Sequence, residues 1–254
     1  MSDAIVVNDV SKRFLLPSIP VGATVKDLAL RAIRRDGKRD AYVDAVRNVT
    51  FAVEGGSTLG IIGRNGSGKT TLMRLMAGIL QPDSGSIVCE GRVAPLLTLA
   101  TGFHPDLTGR EGARIELLSL GFSRKEATAL IPRVIGYSEI GDFADAPIRS
   151  YSMGMMMRLA FAIAVSVDAA TLLFDEILAV GDVAFAHKCL RTIEDLRNHG
   201  KTIVIVTHDT EKVRAWCDLA VWLDDGRVAG VGDPSAVVGA YDNLVSGLIA
   251  REGD

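Results

Sequence analysis

Cysteine is scarce in this sequence, and its placement excludes two kinds of site. Only three of the 254 residues are cysteines, Cys89, Cys189 and Cys217. They lie far apart, so they show none of the short spacings typical of a metal site, and an odd number gives no disulfide framework. We therefore expect reduced, buried thiols, as in proteins of a reducing compartment.

The sequence also lacks an excess of basic residues and a long hydrophobic run. The formal net charge is −3, which argues against a general nucleic-acid binder and against attachment to an anionic membrane by charge alone. The most apolar helical stretch, residues 159–167, is about half the length that spans a bilayer. The first residues have neither the basic start nor the apolar stretch of a signal peptide. We expect any membrane association to depend on a partner protein.

The remaining pattern alternates between strands and helices, which predicts an α/β domain with a mainly parallel sheet and an antiparallel part formed by hairpins. We interpret residues 1–254 as one domain, with residues 98–168 as a helical lobe and residues 15–41 as an insert. The predicted strands are 5–10, 46–53, 58–62, 172–174, 202–206 and the hairpin 219–223/227–231, and the main helices are 70–80, 155–167, 182–199, 210–217 and 234–249.

A glycine-rich loop follows the predicted strand 58–62 and precedes the helix 70–80. Residues 63–70 match the P-loop pattern G-x-x-x-x-G-K-[ST] in full. Glycines allow successive backbone N–H groups to curl around phosphate oxygens, and the helix dipole adds attraction for an anion. Lys69 is expected to contact the β- and γ-phosphates and Thr70 to hold Mg²⁺. The predicted nucleotide-binding residues are Gly63, Arg64, Asn65, Gly66, Ser67, Gly68, Lys69, Thr70 and Thr71.

Two further segments carry candidate chemistry. An apolar strand ends in Asp175 and Glu176; beside a P-loop, the first is expected to bind Mg²⁺ and the second to act as general base toward water. About twenty residues earlier, Ser152 and Gly154 open an apolar helix, where Ser152 is a good N-cap and the helix start is able to bind phosphate. Simple capping at Ser152, and a solvated acidic loop at Asp175, are the alternatives.

The order of these segments, with His208 after the next strand, resembles the ATPase subunits of ATP-binding cassette (ABC) transporters. The resemblance implies that MgATP is bound between two copies of the chain. The signature segment, Ser152, Met153, Gly154 and Met155, then contacts the γ-phosphate held by the other copy. It also implies that His208 is the switch histidine, that Asp182 lies at the dimer interface, and that Phe14 stacks on adenine. A core position for Phe14 is the alternative.

Within that family the sequence is most similar to exporters of bacterial surface polysaccharides such as O-antigen, capsule and teichoic acid. Residues 102–111, 149–162 and 178–189 carry this resemblance. It implies two copies of an integral-membrane subunit, a lipid-linked polysaccharide as the transported substrate, no nucleic acid, and a location at the cytoplasmic face of the bacterial inner membrane. An ABC transporter of another substrate class, such as a lipid, a drug or a small solute, is the alternative.

The insert is interpreted from a predicted helix at residues 24–35, in which apolar residues share one face. Its basic residues lie off that face. The resemblance implies that this helix lies near the cytoplasmic entrance of the transporter, where the basic side is expected to meet pyrophosphate or lipid head groups; a helix that merely packs on the domain is the alternative. These basic residues are Lys26, Arg31, Arg34 and Arg35.

The sequence departs from the family pattern in two places. Met153 replaces the usual serine of the signature, between the two residues expected to touch phosphate, so little effect is expected. The family commonly has a Gln in the loop that enters the helical lobe, but no Gln occurs between Gln81 and the signature; His104 lies near the expected place, and the role stays unassigned. Because the sequence stops at Asp254, soon after the last predicted helix, we expect no additional carbohydrate-binding domain.

Overall fold

The computed structural model describes residues 2–16, 41–96, 102–175 and 182–252. The strands are β1 Asp3–Leu16, β2 Ala41–Glu54, β3 Thr58–Ile62, β4 Ser84–Cys89, β5 Val93–Pro95, β6 Thr171–Asp175, β7 Thr202–Val206, β8 Leu219–Asp224 and β9 Arg227–Gly232. The α-helices are α1 Lys69–Met76, α2 Gly109–Ser119, α3 Arg124–Ser138, α4 Met153–Ser166, α5 Val183–Asn198, α6 Thr210–Trp216 and α7 Pro234–Glu252. Two 3₁₀ helices, Gly141–Asp145 and Ile148–Ser150, precede α4.

The strands form two sheets. A six-stranded sheet has the order β5-β6-β7-β3-β8-β9 and is parallel except for β9, which pairs antiparallel with β8. A three-stranded antiparallel sheet has the order β2-β1-β4. The helices α2, α3 and α4 lie together, as expected for a helical lobe, and the predicted helix at residues 24–35 lies outside the described residues.

The first strand and the first helix differ in length from the prediction. The strand predicted at residues 5–10 continues to Leu16, because β1 pairs with β2 along its whole length, with register shifts that interrupt its alternation. The helix predicted to reach residue 80 ends at Met76. Gly78, with φ 70°, ends it, and the N–H of Ile79 bonds back to the carbonyl of Arg74, as is typical of a glycine-terminated helix.

The core has two main parts. One part lies between the two sheets around α1 and includes Ile5, Val53, Leu59 and Met73. The other joins the helical lobe to β6 through packed aromatic rings, with Phe161 within 6.4 Å of the ring centres of Tyr137, Phe174 and Phe185. The signature helix α4 is therefore packed against both the lobe and the sheet.

The three cysteines are free; Cys189 is buried, as predicted, whereas Cys89 and Cys217 are only partly buried. Burial raises the pKa of Cys189 and of Cys217 to about 12. In the described ranges, none of the helices combines the length and the apolar character that crossing a bilayer demands.

Candidate nucleotide site

Three predicted segments meet at one edge of the six-stranded sheet. The P-loop follows β3, Asp175 ends β6, and His208 comes two residues after β7, which lies between those strands. Register places Val206 of β7 beside Ile61 of β3 and beside Asp175 of β6. The carboxyl ends of the parallel strands therefore bring these segments together, as is usual for ligand sites of open α/β sheets.

Carbonyl groups from distant parts of the chain lie close against the P-loop backbone. A Cβ atom on Gly63, at φ 148°, would lie 2.2 Å from the carbonyl oxygen of Leu223. One on Gly68, at φ 100°, would lie 2.2 Å from the carbonyl oxygen of Ala45. Both positions therefore require glycine for the backbone angle and for the close approach of another strand.

The Lys69 side chain is buried within the loop that it follows. Its ammonium group donates hydrogen bonds to the carbonyl oxygens of Gly63, at 2.7 Å, and Arg64, at 2.9 Å. This holds a positive charge at the centre of the loop, at the start of α1. A polyphosphate bound there gains both that charge and the positive end of the helix dipole.

An open cleft of about 620 Å³ lies over the P-loop. It is lined by loop residues, by Thr70 and Thr71, by Asp175, and by residues of β2. The hydroxyl of Thr70 and the carboxylate of Asp175 are hard oxygen donors, the kind that Mg²⁺ prefers, and the described residues hold no group of three ligands that would bind a metal alone. Such a donor set fits Mg²⁺ that keeps waters and phosphate oxygens as its other ligands.

Five residues that line the cleft were not identified from the sequence, namely Val43, Asp44, Ala45, Arg47 and Asp225, and three of them are charged. Arg47 forms ion pairs with Asp225, at 3.2 Å, and with Asp44, at 3.8 Å, and all three border the cleft. The backbone links the same parts, since the N–H of Arg47 bonds to the carbonyl of Gly226. Arg47 and Asp225 are 178 residues apart, so no local pattern signals the pair.

Phe14 lies on β1 directly opposite Val43 of β2. Directly opposed residues of an antiparallel pair project to the same face of a sheet, and Val43 lines the cleft. Phe14 is 39% exposed, so the alternative of a core position is wrong. Its role in adenine stacking stays a prediction.

The signature segment forms a second cleft, of about 470 Å³, which no described residue shares with the first. Ser152, Met153, Gly154 and Met155 line it, together with Arg158 and Asp182. Ser152 is the N-cap of α4 and accepts a hydrogen bond from the N–H of Met155 at 3.2 Å. The predicted cap is therefore confirmed, while phosphate binding at this helix start stays a prediction.

Asp182 begins α5 and is tied to the signature helix. Its side chain accepts from the N–H of Phe185 at 2.9 Å and pairs with Arg158. The first of these bonds lowers the pKa of Asp182 most, and the charge of Arg158 adds to the effect. The carboxylate therefore stays ionised at neutral pH.

His208 and Glu176 are the remaining residues predicted for the nucleotide site. His208 is exposed at the carboxyl end of β7, beside Asp209, which caps α6. Glu176 lies outside the described residues. His104, the residue nearest the expected Gln, accepts from the N–H of Asp106 at 3.3 Å and is not among the residues that line the P-loop cleft, so that role remains unassigned.

The family described as ABC transporter matches residues 46–179. The chain belongs to the ABC transporter family. The predicted family is thereby confirmed, and with it the assignment of this chain as an ATP-hydrolysing subunit.

Curated relatives are similar over most of this chain. An O-antigen export system ATP-binding protein, RfbB of Myxococcus xanthus, is 46% identical over 96% of the chain, which spans 56% of that protein. RfbB of Klebsiella pneumoniae, described in the same words, is 41% identical over 89% of the chain and 92% of its own length. These relatives confirm the predicted resemblance to the polysaccharide-export branch.

Solved ABC cassettes share the fold. A dimeric ATP-binding cassette in a post-hydrolysis state, bound to ADP and Pi, has a TM-score of 0.70 at 19% identity and covers 91% of this chain and 98% of its own. The predicted fold class, a mixed sheet with an antiparallel subdomain and a helical lobe, is confirmed.

Proposed function

We propose that this ABC subunit binds MgATP between two copies of itself and that their closure drives export of a lipid-linked surface polysaccharide. The observation that carries the proposal is the presence of two complementary clefts on one chain. One holds the P-loop, Thr70 and Asp175, and the other holds the capped helix start at Ser152. Neither cleft surrounds a nucleotide alone, and a second copy supplies the missing side of each.

The residues of the P-loop cleft have separate tasks in this proposal. The backbone N–H groups of residues 63–70 and the ammonium of Lys69 bind the phosphates. Thr70 and Asp175 would hold Mg²⁺, which would neutralise part of the phosphate charge. Glu176 orients and deprotonates the attacking water, and His208 contacts the γ-phosphate from the end of β7. Phe14 adds a stacking surface beside Val43.

The residues of the signature cleft act on the nucleotide of the other copy. Ser152 and Gly154 present a hydroxyl and free N–H groups at the positive end of α4. Asp182 lies in the same cleft and meets the other copy where the two chains join. Closure of the dimer therefore excludes water from the phosphates and completes each site.

The membrane subunit is proposed to dock on the helical lobe, beside the end of α1. A groove of about 320 Å³ lies there, lined by residues that include Gly78, Ile79, Pro95 and Glu116. Burial raises the pKa of Glu116, and Ile79 and the neighbouring Ile115 are exposed. A partner segment that carries both apolar and polar side chains suits this surface, because Glu116 and Ser119 line the groove beside Ile79 and Pro95. Such docking places the subunit at the cytoplasmic face of the bacterial inner membrane.

The proposal of a polysaccharide substrate rests on the O-antigen exporters described above, which are similar to this chain along most of its length. Another substrate class is the competing hypothesis. The two differ in an assay of the complex with its membrane subunit, because only the cognate transported molecule should stimulate hydrolysis. Stimulation by a lipid-linked sugar supports polysaccharide export, and stimulation by a drug or a free lipid instead would reject it.

The variant Glu176→Gln tests the shared nucleotide site. It is expected to retain MgATP binding and to hydrolyse ATP about 10²- to 10⁴-fold more slowly, because the general base is lost. Scattering or analytical ultracentrifugation should then show a stable dimer with MgATP. Near-normal turnover would remove Glu176 as the base, and a chain that stays monomeric with MgATP would reject the two-copy site.

A further inference from the structure

Glu139, which follows α3, has an unusual backbone conformation. Its φ of 54° is left-handed. The other described non-glycine residues with positive φ are Asp9, Asn48 and Asp225, whose short side chains tolerate this conformation. At the end of a helix glycine is the common choice, so a glutamate there indicates a need for its carboxylate.

That carboxylate connects three helices. One oxygen accepts from Lys188 of α5 at 2.7 Å, and the other pairs with Arg158 of the signature helix α4 at 3.4 Å. Arg158 also pairs with Asp182, the N-cap of α5. Glu139 at the end of α3 therefore holds two cations, one of which contacts Asp182 in the signature cleft.

The two cations are held by aromatic rings as well as by charge. The guanidinium of Arg158 lies 4.6 Å from the ring centre of Phe185, and the ammonium of Lys188 lies 4.1 Å from that of Tyr137. The Arg158 side chain is only 17% exposed, while its partners Glu139 and Asp182 are 50% and 62% exposed, so solvent screens these ion pairs in part. The cluster is thus more rigid than isolated surface ion pairs.

We propose that Glu139 is a positioning residue for the half-site that acts on the other copy. By fixing Arg158 and Lys188, it keeps the start of α4 and Asp182 at a constant separation, so that both reach the partner's nucleotide in one closure. This inference rests on the proposed two-copy site. It predicts that loss of the carboxylate weakens closure and hydrolysis without weakening MgATP binding in the P-loop cleft.

The test compares the full-length protein with Glu139→Gly, Glu139→Gln and a control, Arg197→Met. Glycine suits the left-handed backbone, so Glu139→Gly should unfold at no lower temperature than the original protein. It should nevertheless lower kcat roughly three- to tenfold, a range typical of coupled polar networks. The affinity of the single chain for MgATP should not change.

The control removes an ion pair on the same helix as Lys188 but away from the cleft. Arg197 pairs with Asp218 at 2.7 Å, and Arg197→Met should leave kcat unchanged. The double variant Glu139→Lys with Lys188→Glu exchanges the two charges. It should not recover the kcat of the original protein, because Lys at position 139 would repel Arg158. A network that served only to bind α3 to α5 would be restored by the swap.

Two outcomes would contradict the positioning role of Glu139. A Glu139→Gly protein that hydrolyses ATP and dimerises like the original overturns the positioning role, as does Glu139→Gln with full activity if the glycine variant does not fold. A third outcome concerns the proposed function. If the Glu176→Gln protein, with Glu139 unchanged, forms no dimer with MgATP, both the two-copy site and this inference are wrong.

Discussion

The P-loop cleft and the signature cleft are built in different ways. The P-loop packs against parts of the chain that are far away in sequence. The carbonyl of Ala45 lies where a side chain on Gly68 would be, and the carbonyl of Leu223 lies where one on Gly63 would be. The signature is held mainly by neighbours, through the cap between Ser152 and Met155. Its helix also has longer connections, through the ion-pair cluster around Arg158 and through the aromatic rings packed on Phe161.

This difference has a consequence for how each cleft tolerates change. A closely packed backbone has no room to relax, so a methyl group added at Gly63 or at Gly68 displaces the neighbouring strand, β8 or β2. The signature projects into solvent, and Met153 is 66% exposed. Substitutions there should alter what the segment contacts in a partner more than they alter folding.

The largest expected effect is that of Gly68→Ala. Its new Cβ would overlap the carbonyl of Ala45 and the backbone would be strained at φ 100°, so we expect a loss of about 3 kcal/mol in the free energy of unfolding. MgATP binding should be lost at the same time. Urea denaturation and direct titration with nucleotide measure the two effects.

Gly66→Ala is the matched control within the same loop. Gly66 also has positive φ, at 83°, but its Cβ would meet nothing within 4 Å. Only the backbone penalty remains, about 1 kcal/mol. Equal destabilisation by Gly66→Ala and Gly68→Ala would show that the close approach of the Ala45 carbonyl adds nothing to the cost of a side chain in the loop.

The same contrast explains which features the sequence predicts. The P-loop motif and the cap at Ser152 depend on residues a few positions apart, so both are visible in the sequence. Arg47 and Asp225 meet only after the strands have paired, 178 residues apart, so their place beside the nucleotide cleft was missed. The length of β1 was underestimated for the same reason, because its register shifts interrupt the alternation and only its pairing with β2 defines its end.

A smaller effect is expected from Ser152→Ala. Loss of the cap should lower the free energy of unfolding by about 1 kcal/mol, while MgATP binding by the single chain should stay intact. Hydrolysis should fall, since the hydroxyl is proposed to contact the other copy's γ-phosphate. Steady-state kinetics over a range of protein concentrations, beside nucleotide titration, separates these effects.

Met153→Ser is the control for Ser152→Ala. Met153 is exposed at the start of α4, and serine is the residue common in the family, so stability and kcat should change little. If Met153→Ser lowered hydrolysis as much as Ser152→Ala, the role assigned to the Ser152 hydroxyl would be wrong. The signature would then act through its general shape.

The smallest expected effect concerns the helical lobe, whose helices α2 and α3 begin with local capping boxes. Glu111 bonds to Thr108, and Glu126 bonds to Ser123. These hydrogen bonds lower the pKa of both carboxyls below the ordinary value of 4.5. Because the folded pKa is depressed, the stabilisation is fully present above pH 4.5 and is lost as the pH falls through the folded values.

The double variant Glu111→Gln and Glu126→Gln should therefore lose less stability than the original protein between pH 5 and pH 3. Urea denaturation followed by circular dichroism at several pH values measures the difference. The neutral amide still accepts the capping hydrogen bond, so the variant isolates the charge from the cap itself. If the stability of the two proteins depended on pH in the same way, acid would act on other groups. The capping carboxylates of the lobe would then contribute nothing to the loss of stability in acid.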